Sequence, residues 1–229
     1  MNHSQLKFRT TIVITSILAL TVSASNAAED RNKEREKAAE VPASQQLASN
    51  RAEELSTQGK EVLGWANEFA KEVTQAIDGW LASGAVTQER LFSYLYYPIS
   101  NTDPTKYNTD YDRFADRDIQ ALLDKYLSKS NLLLYAVTTD RNGYLPVHNR
   151  QFSQPLTGNR AVDLVNNRTK RIFGDVVGFR AARNQKPFLL QTYARDTGEV
   201  VADITVPIII RGRHWGCVRI GFRQVERQQ

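Results

Sequence analysis

The chain has 229 residues, of which 41% are hydrophobic and 24% charged, so it holds enough apolar material for one packed domain with extensions and is not a disordered chain. The net charge is +5, and removing Lys7 and Arg9 of the leader leaves +3, because no acidic residue precedes Glu29. That mild balance, without an RNP motif, zinc-finger spacing or a long basic run, gives no ground for a nucleic-acid partner. Cys217 is the only cysteine, which excludes an intrachain disulfide, a cysteine zinc cluster and covalent c-type haem.

Residues 1–27 have the pattern of a signal peptide. Lys7 and Arg9 form a positive n-region, Thr10 to Val22 an apolar run, and Ser25-Asn26-Ala27 a small-residue site, with cleavage expected after Ala27. The run is short for a membrane span, which needs about 20 apolar residues. The expected location is periplasmic or secreted. The alternative is anchoring to the inner membrane by an uncleaved N-terminal segment. Residues 28–54 are polar, charged and interrupted by Pro42, as in a solvated linker.

From Leu55 the pattern turns helical. Val62, Trp65, Ala66, Phe69, Val73, Ile77, Trp80 and Leu81 recur at spacings of three and four, which predicts a long amphipathic helix over 55–84 stopped at Ser83-Gly84. Thr87 is placed to cap a second helix reaching Tyr96, with Val86 and Leu91 as its hydrophobic staple and Pro98 beyond its end. A third helix is expected from Asp116 to Lys129, with Ile119, Leu122, Leu123, Tyr126 and Leu127 on its apolar face.

The remainder is strand-like. Leu132 to Thr138 and Tyr144 to Val147 flank Asp140-Arg141-Asn142-Gly143, a hairpin signal. Ala161 to Ile172 is helical in pattern. Pro187–Ala194, Glu199–Ile210 and Arg213–Phe222 then form a meander turned at Arg195-Asp196-Thr197-Gly198 and Arg211-Gly212. The plan is α+β, with N-terminal helices packed on a five-stranded antiparallel sheet.

Several segments in fixed order carry a family resemblance. Gly143-Tyr-Leu-Pro-Val-His-Asn149, Phe152-Ser-Gln-Pro-Leu-Thr-Gly158, Asn167-Arg-Thr-Lys-Arg-Ile-Phe173, Pro187-Phe-Leu-Leu-Gln-Thr-Tyr193, Arg195-Asp-Thr-Gly198 and Gly212-Arg-His-Trp-Gly216 resemble the PAS/Cache-like sensory region of bacterial methyl-accepting chemotaxis proteins. The resemblance spans roughly Gln88 to Phe222 and implies a sensory domain over 85–225. It implies a ligand-covering segment after the second strand, and a role in chemotaxis or related signal transduction. The long heptad helices that carry output in that family have no counterpart in this sequence, so the expected function is small-molecule binding without an output domain of its own.

Candidate site residues follow from chemistry and alternation. Arg168, Arg171 and Arg180 lie in the covering segment, where guanidinium groups suit a carboxylate or phosphate; the alternative for Arg168 and Arg171 is pairing with Asp163 or Asp175 on a solvated face. Lys170 and Arg183 fit the solvated face better. On the strand from Pro187, Gln191 and Tyr193 share a face, as do Val201, Asp203 and Thr205 on the next. Tyr193 and Asp203 are either pocket groups, with Asp203 able to hold an amine, or a cross-strand pair on a wet face. Tyr144 and His148 stand at the expected pocket mouth, with a backbone-bonded turn histidine as the alternative for His148. His214 is expected to pack on Trp215. These two histidines alone do not argue for haem, and no cofactor or metal is expected.

The chain carries no Gly-x-Ser-x-Gly, His-Glu-x-x-His, phosphate loop or dinucleotide fingerprint. Cys217 and His214 fall on opposite faces of a strand, so no thiol–imidazole pair is expected, and the chain is not read as an enzyme. The partner is expected to be a small polar or anionic metabolite. The alternative function is an accessory protein that docks on a membrane receptor through the 55–84 helix, whose Trp65, Phe69, Val73 and Trp80 stripe also suggests a homodimer.

Overall fold

The computed structural model describes residues 47–49, 55–194 and 199–224. The leader, most of the polar linker and the Arg195–Gly198 turn lie outside the described residues. Among the described residues, no helix is long and apolar enough to cross a membrane.

Helix α1 runs Thr57–Ala82 and starts where the Ser56 hydroxyl accepts the Gly59 amide at 3.0 Å. Its buried residues Val62, Ala66, Phe69, Val73, Ile77 and Trp80 keep the three-and-four spacing, while Lys60, Glu61, Asn67, Lys71 and Asp78 face solvent. The stripe packs on strands β8 (Val200–Ile210) and β9 (Arg213–Phe222). Each fully buried aliphatic or aromatic side chain contributes about 1.5–3 kcal/mol, so α1 is built into the core. Phe69, Val73 and Trp80 are buried in the chain's own core, while Trp65 of the same stripe is half-buried.

Helix α2 is one turn, Gln88–Leu91, capped by Thr87 as its sequence predicts. It does not reach Tyr96. Tyr97–Ile99 (β2) instead pairs with Lys106–Asn108 (β3), and Tyr97, the residue before Pro98, is biased to the extended backbone this pairing needs. The third helical stretch begins at α3 (Asp112–Phe114), passes through a π-helical segment, Ala115–Ile119, and continues as α4 (Gln120–Leu127). The Trp80 indole donates to Asp118 at 2.6 Å, tying this stretch to α1.

Strands β4 (Leu133–Asp140), β7 (Leu189–Ala194), β8 and β9 form the main antiparallel sheet in the order β7-β8-β9-β4. The short β1, Leu47–Ser49, adds an edge beside β7 and comes from the stretch expected to be linker. Four of the five expected strands thus lie in this sheet, and the fifth is a correction. Tyr144–Leu145 (β5) leaves the sheet and pairs with Arg171–Ile172 (β6).

The local cause is at the turn. Asp140 accepts the amides of Asn142 and Tyr144 at 2.8 and 3.0 Å, and Gly143, at φ 79°, takes a backbone that a side chain would strain. The Gly143 carbonyl then accepts from the Phe173 amide at 2.9 Å, which commits the chain to β6 rather than back to β4.

The sheet divides two cores. Ala202, Ile204, Val206 and Ile208 face α1, while Tyr135, Val137 and Val201 pack with Leu145 of β5 and with Phe173, part of a cap segment that also holds α5 (Arg160–Asn166), β6 and α6 (Val176–Ala182). The expected helix over 161–172 is shorter, because Arg171 and Ile172 are taken by the β5 ladder.

Candidate ligand-binding site

The cap-facing side of the sheet carries a buried polar cluster. Register places Gln191 opposite Asp203, Asp203 opposite Gly221, and Gly221 opposite Tyr135, while Arg219 stands one step along β9, opposite Thr205 and Val137. Asp203 is fully buried and Arg219 is 7% exposed.

Their charges neutralise each other. Arg219 Nε donates to Asp203 Oδ2 at 2.8 Å, and one Nη donates both to Asp203 and to the Tyr193 hydroxyl. Tyr135 donates to the same carboxylate at 2.6 Å and shares a 2.7 Å hydroxyl contact with Tyr193. Thr205 donates to Asp203 Oδ1 at 3.1 Å. Burial pushes the Tyr135 phenol well up, and the Asp203 charge adds to it, so Tyr135 stays a donor. Burial alone would lower the affinity of Arg219 for its proton; Asp203 more than reverses this, and the guanidinium stays charged.

Two groups of the cluster have bonding capacity left. The second Nη of Arg219 makes no hydrogen bond among the described residues. Gln191 donates to the Val177 carbonyl at 3.2 Å, fastening α6 to the sheet, but its buried Oε1 has no partner. An unpaired donor and an unpaired acceptor thus lie on one face beneath the cap. The buried Gln191 Oε1 costs about 1–3 kcal/mol until satisfied. Tyr193 is half-buried and forms the outer edge of the cluster.

The expected residues separate into three groups. Gln191, Tyr193 and Asp203 come together, though Asp203 is already ion-paired and the face is roofed rather than wet. Arg168 and Arg171 come together on the Phe173 ring, at 5.4 and 5.0 Å, and both donate to the Leu164 carbonyl. Phe173 in turn packs against the Tyr135, Val137 and Val201 core. Asp163 binds the Thr157 amide and hydroxyl and the Gly158 amide, and Asp175 caps α6. Lys170 pairs with Asp112 and Asp116.

Arg180 is exposed on α6 and stands apart from the cluster's hydrogen bonds. Tyr144 belongs to the opposite core: its hydroxyl donates to the Tyr107 carbonyl, and its ring meets Tyr96 and Tyr111. That aromatic group surrounds Asp140, whose carboxylate accepts from Tyr96 at 2.6 Å and Tyr111 at 3.0 Å. His148 is buried, with Nδ1 accepting the Asn149 amide at 2.7 Å and its ring edge-on to Phe152. Cys217 is buried, and burial pushes its thiol up to about 12, so it is protonated at neutral pH.

Sequence reasoning missed Arg219 and Tyr135. Arg219 had a signal: it is the one charged residue inside the run Trp215-Gly-Cys-Val-Arg-Ile-Gly-Phe222, and alternation sets it on the face of Cys217 and Gly221. Tyr135 had none, because only register puts it opposite Gly221. Among the described residues, no group of three or more His, Cys, Asp or Glu could hold a metal.

No protein-family model and no curated protein matches this chain. Among solved structures, an extracellular ligand binding receptor from Desulfohalobium retbaense DSM5692 is similar at 15% identity and a TM-score of 0.32, over 74% of this chain and 26% of that one. The chain thus spans about a quarter of that receptor's length.

Proposed function

We propose that this chain is an exported module that reversibly binds a small polar metabolite between its sheet and the 144–183 cap. The observation that carries the reading is the Arg219–Asp203–Tyr193–Gln191 cluster, a buried, charge-balanced group with an unused Arg219 donor and an unused Gln191 acceptor. A ligand bearing both a carboxylate or carbonyl oxygen and an N–H group satisfies both, which points to an amino acid or a related amide. Arg168 and Arg171 add positive charge over the Phe173 ring, and Tyr193 is half-buried at the edge of the cluster. The resemblance to chemoreceptor sensory regions supports the same reading, with the signal passed to a separate membrane partner.

A thermal-shift screen of amino acids, amides and organic acids against the mature chain tests this. Binding to the folded state raises stability by about 2.7 kcal/mol at a hundred times Kd. Arg219→Lys and Tyr193→Phe should weaken a hit at least tenfold. A broad screen without a shift, or a hit that neither substitution moves, overturns the proposal.

A further inference from the structure

A second polar feature lies outside the cap. An open groove of about 570 Å³ is lined by Tyr94, Arg141, Asn142, Arg183, Gln185, Arg213 and His214. Its walls come from four separate segments: the α2–β2 connection, the turn after β4, the end of α6 with the residues after it, and the start of β9. No carboxylate lines it. Glu89, exposed on α2, is within electrostatic reach of Arg213 but is not part of the wall.

The three arginines are oriented rather than loose. Arg141 lies over the Tyr94 ring at 4.4 Å, Arg183 over Phe179 at 4.7 Å, and Arg213 over Phe92 at 4.1 Å. Stacking on a ring restrains a guanidinium while leaving its edge N–H groups available. None of the three forms an ion pair among the described residues. The Nε2 of His214 is buried and without a partner, so the donors of the groove are the arginines and not this histidine. Burial, with Arg141 alongside, holds its imidazole below the ordinary range.

Three guanidinium groups lining one groove with no carboxylate match a multiply charged oxyanion better than a single carboxylate. The planar donor fork fits phosphate oxygens in pairs. The size of the groove suits the ester of a small organic molecule, since ligand sites commonly hold about 300–1,000 Å³. Tyr94, 62% exposed, and the adjacent exposed Leu95 offer apolar surface beside the charge.

We propose that the Arg141–Arg183–Arg213 groove is a binding site for a phosphate group, separate from the Arg219 cluster. The phosphate belongs either to a soluble phosphate ester or to a phospholipid headgroup. The test uses the full chain at constant ionic strength set with potassium chloride. One arm follows ³¹P line broadening of inorganic phosphate. The other follows sedimentation with phosphatidylglycerol-containing vesicles, against phosphatidylcholine alone. Arg141→Ala and Arg183→Ala each remove a groove arginine. Arg113→Ala is the control, because it removes an exposed arginine stacked on Phe114 at 4.5 Å, outside the groove.

The expected result is saturable binding that falls at least tenfold in both groove variants and is unchanged in the control. Binding of inorganic phosphate assigns a soluble ester. Arginine-dependent binding of the vesicles alone assigns the headgroup. No binding in either arm, or equal loss in Arg113→Ala, overturns the proposal.

Discussion

Tyr135 lies flat across Gly221, and only the missing side chain at Gly221 lets the ring reach over the strand. Its hydroxyl thereby lands on the Asp203 carboxylate at 2.6 Å. Two residues of opposite size, facing each other across β4 and β9, thus assemble the polar cluster.

The first prediction follows from that contact. Gly221→Ala should destabilise the fold by about 1–3 kcal/mol, because the added methyl collides with a buried ring in a packed core. Gly64→Ala is the internal control: nothing lies within 4 Å of a Cβ at Gly64, in the middle of α1, so alanine should stabilise by about 0.5–1 kcal/mol. Urea denaturation of both variants checks the pair, and equal effects would refute the account.

The Asp203–Arg219 pair gives the second. Asp203→Asn leaves a buried guanidinium uncompensated and should cost about 3–5 kcal/mol. Replacing both partners, as Asp203→Leu with Arg219→Met, should cost less than the sum of the single changes, since no unpaired charge then remains. Denaturation midpoints for the four proteins of the cycle measure the coupling. Strict additivity would show that the two charges are not paired.

Phe69 distinguishes core from interface. It is fully buried and stacked on Tyr126 at 4.7 Å. Phe69→Ala should cost about 3–5 kcal/mol at every protein concentration. A loss that shrinks on dilution, with a matching change of mass by light scattering, would instead place this face in a dimer.

Lys106 sets a pH dependence. Its ammonium is buried and held by the Asn167 and Thr169 carbonyls at 3.1 and 2.6 Å, with Asp163 within electrostatic reach. Burial, with Arg171 and Lys170 nearby, lowers its pKa to about 8 from an ordinary 10.5. The folded state therefore holds fewer protons than the unfolded chain between these values. The stability from Lys106 is fully present above the unfolded pKa and is lost as pH falls through the folded one.

Cys217 acts in the opposite sense above about pH 9, because the unfolded thiol ionises there while the buried one stays protonated to about 12. The Lys106 effect is thus read between about pH 7.5 and 9, where stability should rise by about 1 kcal/mol. Lys106→Met should flatten that rise, and an unchanged slope would refute the assignment.

Much of the architecture was legible without coordinates. The spacing of Val62, Phe69, Val73 and Ile77 determined α1 and its buried face, because a 3.6-residue period admits one apolar stripe. Alternation determined that Gln191 and Tyr193 share a face of β7, and that Asp203 and Thr205 share a face of β8, because strand side chains alternate. Local chemistry determined the cap at Thr87.

Only the tertiary structure decided what those faces meet. It covered the α1 stripe with β8 and β9, and it turned Tyr144–Leu145 out of the sheet toward Arg171–Ile172 through a carbonyl–amide bond 30 residues apart in sequence, from Gly143 to Phe173. It paired Asp203 with Arg219 instead of leaving it for an amine, and it gathered Arg141, Arg183 and Arg213 from distant segments into one groove. Periodicity fixes the direction of a side chain relative to its own backbone. Register and long-range packing fix its neighbours, and charge pairing depends on neighbours.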